Sequence, residues 1–242
     1  MEPINYSWDG DDNTLTEEES FIDGTLNKEA TEEVLQTRHN LQYARRLFHL
    51  ANGGVIATLY WISFSHSQMV HALGTIACLL YVFEQIRINY PEAQQRFLPM
   101  TKFIIRAEEQ LKESAMVPYA FAVLLTIITF PKPIALIAIY TLAISDPLSA
   151  IIGIRFGKRR IVPHKSLEGS AAFFISNLLI CFFILGIYTG GLSGVVLLVS
   201  LLVAFCTSAF EMLPLKVDDN LTIPLFCAFM LWIFCGTLGI VL

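Results

Sequence analysis

The apolar positions of this chain come in blocks rather than in the alternating or three-to-four spacing of soluble elements. Seven blocks are long enough, or nearly so, to cross a bilayer as a helix of about 20 residues. They cover roughly 47–65, 69–88, 115–131, 133–154, 170–190, 193–214 and 222–242. The third is the shortest and is bounded by Pro118 and Pro131. In the fourth, Pro147 is expected to kink or end a helix just after Asp146, because proline has no N–H to donate. Between the second and third blocks, PEAQQRFLPMTKFIIRAEEQLKES places Phe97, Leu98, Ile104, Ile105 and Leu111 loosely on one helical face. That pattern predicts an amphipathic helix lying in the membrane interface.

Charge sharpens this pattern. Only 15% of the residues are charged and 55% are hydrophobic, with a mean hydropathy of +0.58, against about 25% charged in soluble domains. The expected fold class is therefore all-α: a polytopic integral membrane protein of about seven transmembrane helices. With seven spans, fifteen of the sixteen Lys and Arg fall on one side and Lys132 alone on the other. The positive-inside rule then sets the N-terminus in the cytoplasm.

The net charge of −5 averages two unlike regions. Residues 1–33 carry eleven acids against Lys28, and the remainder carries fifteen cations against ten acids. Residues 1–36 are expected to be a disordered acidic tail without a signal peptide, and 37–242 a single transmembrane catalytic domain. The basic loops suit anionic lipid or phosphate, and no nucleic-acid partner is expected. Cys78, Cys181, Cys206, Cys227 and Cys235 all lie in apolar blocks without a CxxC pair, which argues against a disulfide framework or a zinc site.

Charged groups near membrane depth cost roughly 2.5–3.5 kcal/mol each, so they have a structural partner or a task. Four polar islands stand at the cytoplasmic ends of the predicted spans. YARRLFH contains Arg45, Arg46 and His49, a helix anchor or a clamp for phosphate oxygens. FEQIRINYP spaces Glu84 and Arg87 as an i, i+3 ion pair. SDPLSAIIGIRFGKRRIVPHKSLEGS runs from Asp146 to Ser170. Asp146 can bind a divalent cation or take a proton from an attacking hydroxyl. Gly153 and Gly157 allow close backbone approach or helix packing. Arg155, Lys158, Arg159, Arg160 and Lys165 supply positive charge. SLEGS opens the fifth helix, whose N-terminus suits phosphate; no Walker A loop is present. In FEMLPLKVDDNLTIPL, Asp218, Asp219 and Asn220 offer oxygen ligands for Mg²⁺, or a helix cap. Carboxylates, cations and glycine-lined backbone beside a membrane interior are the parts of phosphoryl or nucleotidyl transfer.

These four blocks, in this order from about residue 43 to residue 230, resemble the CTP-dependent lipid kinases: the yeast-type diacylglycerol kinases, dolichol kinase, and the phytol and farnesol kinases. The resemblance implies CTP as phosphate donor, Mg²⁺ or another divalent cation such as Ca²⁺, and a lipid alcohol acceptor. It is nearest to the diacylglycerol kinase branch, so the product would be phosphatidic acid; a polyprenol or phytol kinase is the alternative. The family's basic pair falls on Arg45 and Arg46, with Arg46 where lysine is usual. Its essential aspartate falls on Asp146 and the following glycine on Gly153. Its Lys-Ser-x-x-Gly-Ser block falls on Lys165, Ser166, Gly169 and Ser170, with Glu168 between, and its Asp-Asp-Asn block on Asp218, Asp219 and Asn220. Pro147 and Leu148 depart from the pattern. The implied roles are Asp146, Lys165, Arg45 and Arg46 in catalysis, and Asp218, Asp219 and Asp146 at the metal. Gly153, Gly157, Lys158, Ser166, Glu168, Gly169, Ser170 and Asn220 would hold the nucleotide. The active site would face the cytoplasm, from a bacterial inner membrane or from the endoplasmic reticulum and nuclear envelope. A CTP:phosphatidate cytidylyltransferase is the nearest rival, but VDDNLTIPL stands where its late histidine-containing block would be. A transporter or an inert scaffold fits less well, since the charges cluster on one side and no repeat is evident.

Overall fold

The structure is a computed structural model that describes residues 46–47, 50–90, 116–162, 165–215 and 217–242. The acidic tail, Arg45, His49 and the expected amphipathic segment lie outside the described residues. The described chain is almost entirely helical, in keeping with an all-α integral membrane protein. In chain order it comprises α1 (Leu50–Ile62), α2 (His66–Asn89), α3 (Met116–Thr129), α4 (Lys132–Phe156), β1 (Arg160–Val162), β2 (Lys165–Ser166), α5 (Leu167–Tyr188), α6 (Gly194–Glu211) and α7 (Asp219–Thr237). Five of these, α2 and α4 to α7, are long and apolar enough to cross a membrane. The shorter apolar helices α1 and α3 stand in the first and third of the seven predicted blocks.

Small polar residues set the helix starts, because the first N–H groups of a helix lack partners in the helix itself. Ser65 begins α2 with a reciprocal capping box to Gln68. Ser193 caps α6 through the Val196 amide, and Asp218 caps α7 through the Asn220 amide. Gly190 takes φ 77° in the turn after α5, a left-handed conformation that costs a residue with a Cβ.

Helix α4 is the axis of the fold: 67% of its apolar window is buried, against 22% for α2. Its first half joins two cores. One is built with α1, α2 and α3 around Tyr60, Leu73, Tyr119 and Ile127. The other is built with α5, α6 and α7 around Leu185, Val199, Val203 and Leu231. At the start of α4, Lys132 donates to the carbonyls of Trp61 (3.2 Å) and Phe64 (2.9 Å) and lies over the Tyr60 ring. The turn after α1 and the corner before α4 therefore share one end, the end to which the charge pattern assigned both.

Pro147 neither breaks α4 nor ends it. The helix passes through a π turn at Thr141–Ser145, where the Asp146 amide bonds the Thr141 carbonyl, and resumes an α path with Pro147 in its first turn. A proline cannot donate to the carbonyl four residues back, and the wider turn accommodates this without a break. The consequence is local: Asp146 sits where the helix changes pitch, and π turns of this kind recur at functional sites.

Candidate active site

Helix α4 emerges into an antiparallel hairpin in which Arg160 pairs with Ser166 and Val162 with Lys165. The hairpin is locked onto α5 by the Leu167 amide, which donates to the Arg159 carbonyl at 2.9 Å. The Glu168 carboxylate accepts the Arg159 amide with both oxygens at 3.4 Å. Ser166 caps α5 by accepting from the Gly169 amide at 3.1 Å. These contacts fix the backbone of Lys165 at the foot of α5.

The Lys165 ammonium bridges the end of α6 and the start of α7. It lies 2.8 Å from Glu211 Oε1 and 3.3 Å from Asp219 Oδ2, and it also donates to the Glu211 main-chain carbonyl. Glu211 is only 5% exposed, Lys165 24% and Asp219 45%. The second oxygen of Glu211 accepts from the Ser170 hydroxyl at 3.5 Å, and Ser208 ties the Ser170 carbonyl at 3.1 Å. Burial alone would lower the Lys165 pKa, but the hydrogen bonds and charges of Glu211 and Asp219 outweigh it and hold the value above the ordinary lysine range.

Asp146 lies within electrostatic reach of Asp219 and Glu211 on one side and of Lys165 and Arg46 on the other. Five charged residues from five separate parts of the chain thus share one site: Arg46, Asp146, Lys165, Glu211 and Asp219. Four were expected from the sequence; Glu211 was not. Its sequence signal is an acid closing an apolar block, in FEML.

The other candidates fall differently. A Cβ on Gly153 would meet Ser166 Oγ at 3.0 Å, and one on Gly169 would meet the Ser149 carbonyl at 2.7 Å. On Gly157 it would fall 2.2 Å from the Gly153 carbonyl. Gly153 and Gly169 let α4 and α5 pack backbone to backbone, the use that small residues serve between membrane helices, and Gly157 lets the end of α4 lie close to Ser166. Ser166 is engaged as a cap and Ser170 as a bridge to Glu211. Lys158, Arg159 and Arg160 are exposed, and Arg155 stacks over the Phe156 ring at 5.5 Å. Asp218 spends a carboxylate oxygen on the Asn220 amide at 2.9 Å. Glu84 and Arg87 form the expected pair, bidentate at 3.0 and 2.7 Å and each 2% exposed.

Among the described residues, no group of three or more acidic, histidine or cysteine side chains can by itself hold a metal ion. The donor set suits a cation of another kind, one that arrives on phosphate oxygens and needs one or two protein carboxylates. Asp219, half-exposed beside Asp146, meets that requirement.

A protein of unstated function from Rickettsia prowazekii is 29% identical over 187 residues, covering 75% of this chain and 88% of its own. The CTP-dependent diacylglycerol kinase 1 of Saccharomyces cerevisiae is 24% identical over 154 residues, 63% of this chain and 52% of the yeast protein. The phytol kinase of Synechocystis is 34% identical over 101 residues, 40% of this chain and 43% of its own. No family model matches, and no solved structure matches. The apolar helices fit an integral membrane protein, and the relatives with a named activity are lipid kinases. The chain is similar to CTP-dependent lipid kinases, three of these relatives being named CTP-dependent diacylglycerol kinase 1 and one phytol kinase.

Proposed function

We propose that the protein transfers the γ-phosphoryl group of CTP to a membrane lipid alcohol, with diacylglycerol as the acceptor and phosphatidic acid as the product. The observation that carries this is the cluster of Asp146, Lys165, Glu211, Asp219 and Arg46. Asp146 belongs to an apolar helix, whereas Lys165 and Asp219 stand between or at the start of such helices. A membrane-held hydroxyl and a water-borne nucleotide meet at such a boundary.

The chemistry follows from that division. Lys165 and Arg46 offset charge on the phosphates, where catalysis by positioning and electrostatics does most of the work. Asp146 accepts the proton of the lipid hydroxyl as its oxygen bonds to the γ-phosphorus; the bond to the bridging oxygen breaks and CDP leaves. A divalent cation carried by CTP, held by Asp219, would neutralise phosphate charge. Seven spans, a cytoplasmic N-terminus and a single catalytic unit from residue 37 onward complete the proposal, with the site on the cytoplasmic face. The similarity to a phytol kinase supports a second acceptor class, an isoprenoid alcohol, with the same site and the same transfer.

The test is to offer purified protein in mixed micelles CTP or ATP with diacylglycerol, a polyprenol or phytol, and to identify the phosphorylated lipid by mass. Phosphatidic acid formed with CTP is the expected product. Phytyl or polyprenyl phosphate alone would move the acceptor. No phosphorylated lipid from any of the three would refute the proposal.

A further inference from the structure

Lysine carries three N–H donors and no acceptor. Among the described residues, all three of those of Lys165 are matched by acceptors: the Glu211 carbonyl, Glu211 Oε1 and Asp219 Oδ2. A phosphate oxygen can reach this ammonium only by displacing one of them. The three are not equal. Both Glu211 contacts are the shorter ones, and Glu211 is 5% exposed and further held by Ser170. Asp219 is the longest contact at 3.3 Å, is 45% exposed, and stands in the first turn of α7.

We infer that Lys165 exchanges partners when nucleotide binds: Asp219 releases the ammonium to a phosphate oxygen, while Glu211 keeps it in place. Glu211 is thereby a positioning residue, acting through Lys165. Asp219 is a competitor of phosphate for Lys165 and becomes available to a nucleotide-borne cation only once displaced. The ammonium remains charge-paired throughout, with Glu211 always and with either a carboxylate or a phosphate as its second anion. This rests on the proposal that the site receives a nucleoside triphosphate, and it assigns the step by which it does so.

The exchange predicts opposite signs for one substitution under two conditions. Asp219→Asn keeps the shape but weakens the competitor. In chelator, metal-free CTP is expected to bind Asp219→Asn about tenfold more tightly than wild type, the scale of a charge-assisted contact. With excess Mg²⁺, the same variant is expected to lose affinity relative to wild type, because the carboxylate that meets the cation is gone. Asp218→Asn, one residue away, removes the same charge without touching Lys165 and controls for general repulsion. Introducing Lys165→Gln is expected to abolish the gain from Asp219→Asn. Binding is read by titration calorimetry or by displacement of a fluorescent nucleotide in detergent. Equal gains in chelator for Asp218→Asn and Asp219→Asn, or a gain that survives Lys165→Gln, would overturn the exchange while leaving the kinase proposal standing. Failure of wild type to bind CTP with or without Mg²⁺ would overturn both.

Discussion

Two ion pairs in this molecule use the same chemistry to opposite ends. Glu84 and Arg87 are three residues apart on α2, bidentate, and each 2% exposed. Lys165 and Asp219 are 54 residues apart, meet at 3.3 Å through a single contact, and are 24% and 45% exposed. The first pair is written into one helix and is sealed. The second is assembled from a hairpin and a helix start and is open on one side. Removing one partner of a buried pair costs about 3–5 kcal/mol, whereas an exposed pair contributes about 0–1 kcal/mol. The sealed pair therefore serves the fold, and the open set retains charges that can be redirected.

Substitutions at the two places are expected to separate turnover from stability. The largest effect falls on the open set: Asp146→Asn is expected to lower phosphoryl transfer by about 10²–10⁴-fold, the range for losing a general base. Its thermal unfolding in detergent should stay near that of wild type, and a large shift in unfolding would instead make Asp146 a structural residue. Next comes the sealed pair. Glu84→Gln, which takes the carboxylate from Arg87, is expected to destabilise by about 3 kcal/mol while turnover per folded molecule is retained. Activity lost in full from a protein of unchanged stability would place Glu84 in the chemistry.

Smaller effects test the frame that holds the open set. Gly157→Ala places a Cβ 2.2 Å from the Gly153 carbonyl of its own helix and 2.7 Å from Ser166 Oγ, and is expected to cost about 1–3 kcal/mol by pushing the end of α4 off the hairpin. Gly54→Ala, which meets nothing within 4 Å, is expected to change stability by no more than about 1 kcal/mol. Unfolding midpoints of the two variants, measured side by side, check the difference.

The pH dependence is the subtlest reading. The Lys165 pKa is raised in the folded protein, so its contribution to stability is complete below the ordinary lysine value of about 10.4. That contribution is lost only as pH rises through the higher folded value. Stability that falls between pH 7 and 9 in wild type, but not in Lys165→Gln, would contradict this.

How legible all this was depends on what kind of signal each residue carries. The apolar blocks were legible because membrane helices must be continuous; Asp146, Lys165 and Asp219 were singled out because charge in or beside an apolar block is costly. Glu211 was not singled out because one acid at the end of an apolar block matches no spaced motif. Its partner is 46 residues away and becomes visible only once α5 and α6 pack. Gly153, Gly157 and Gly169 show the converse. The spacing of Gly153 and Gly157 suited both phosphate approach and helix packing, and the structure sets Ser166 against both and Gly169 against Gly153. The π turn was equally hidden, since Pro147 signals a disturbance but does not say whether a helix will stop or widen.

The most direct test of the central claim is where the phosphorus of CTP goes. Purified protein is incubated with diacylglycerol and with CTP labelled in either the α- or the γ-phosphate, and the lipid fraction is separated. The account predicts label in phosphatidic acid from γ-labelled CTP, with α-label retained in CDP. Label entering lipid from the α-phosphate, when phosphatidate is supplied as acceptor, would show cytidylyl transfer and contradict it.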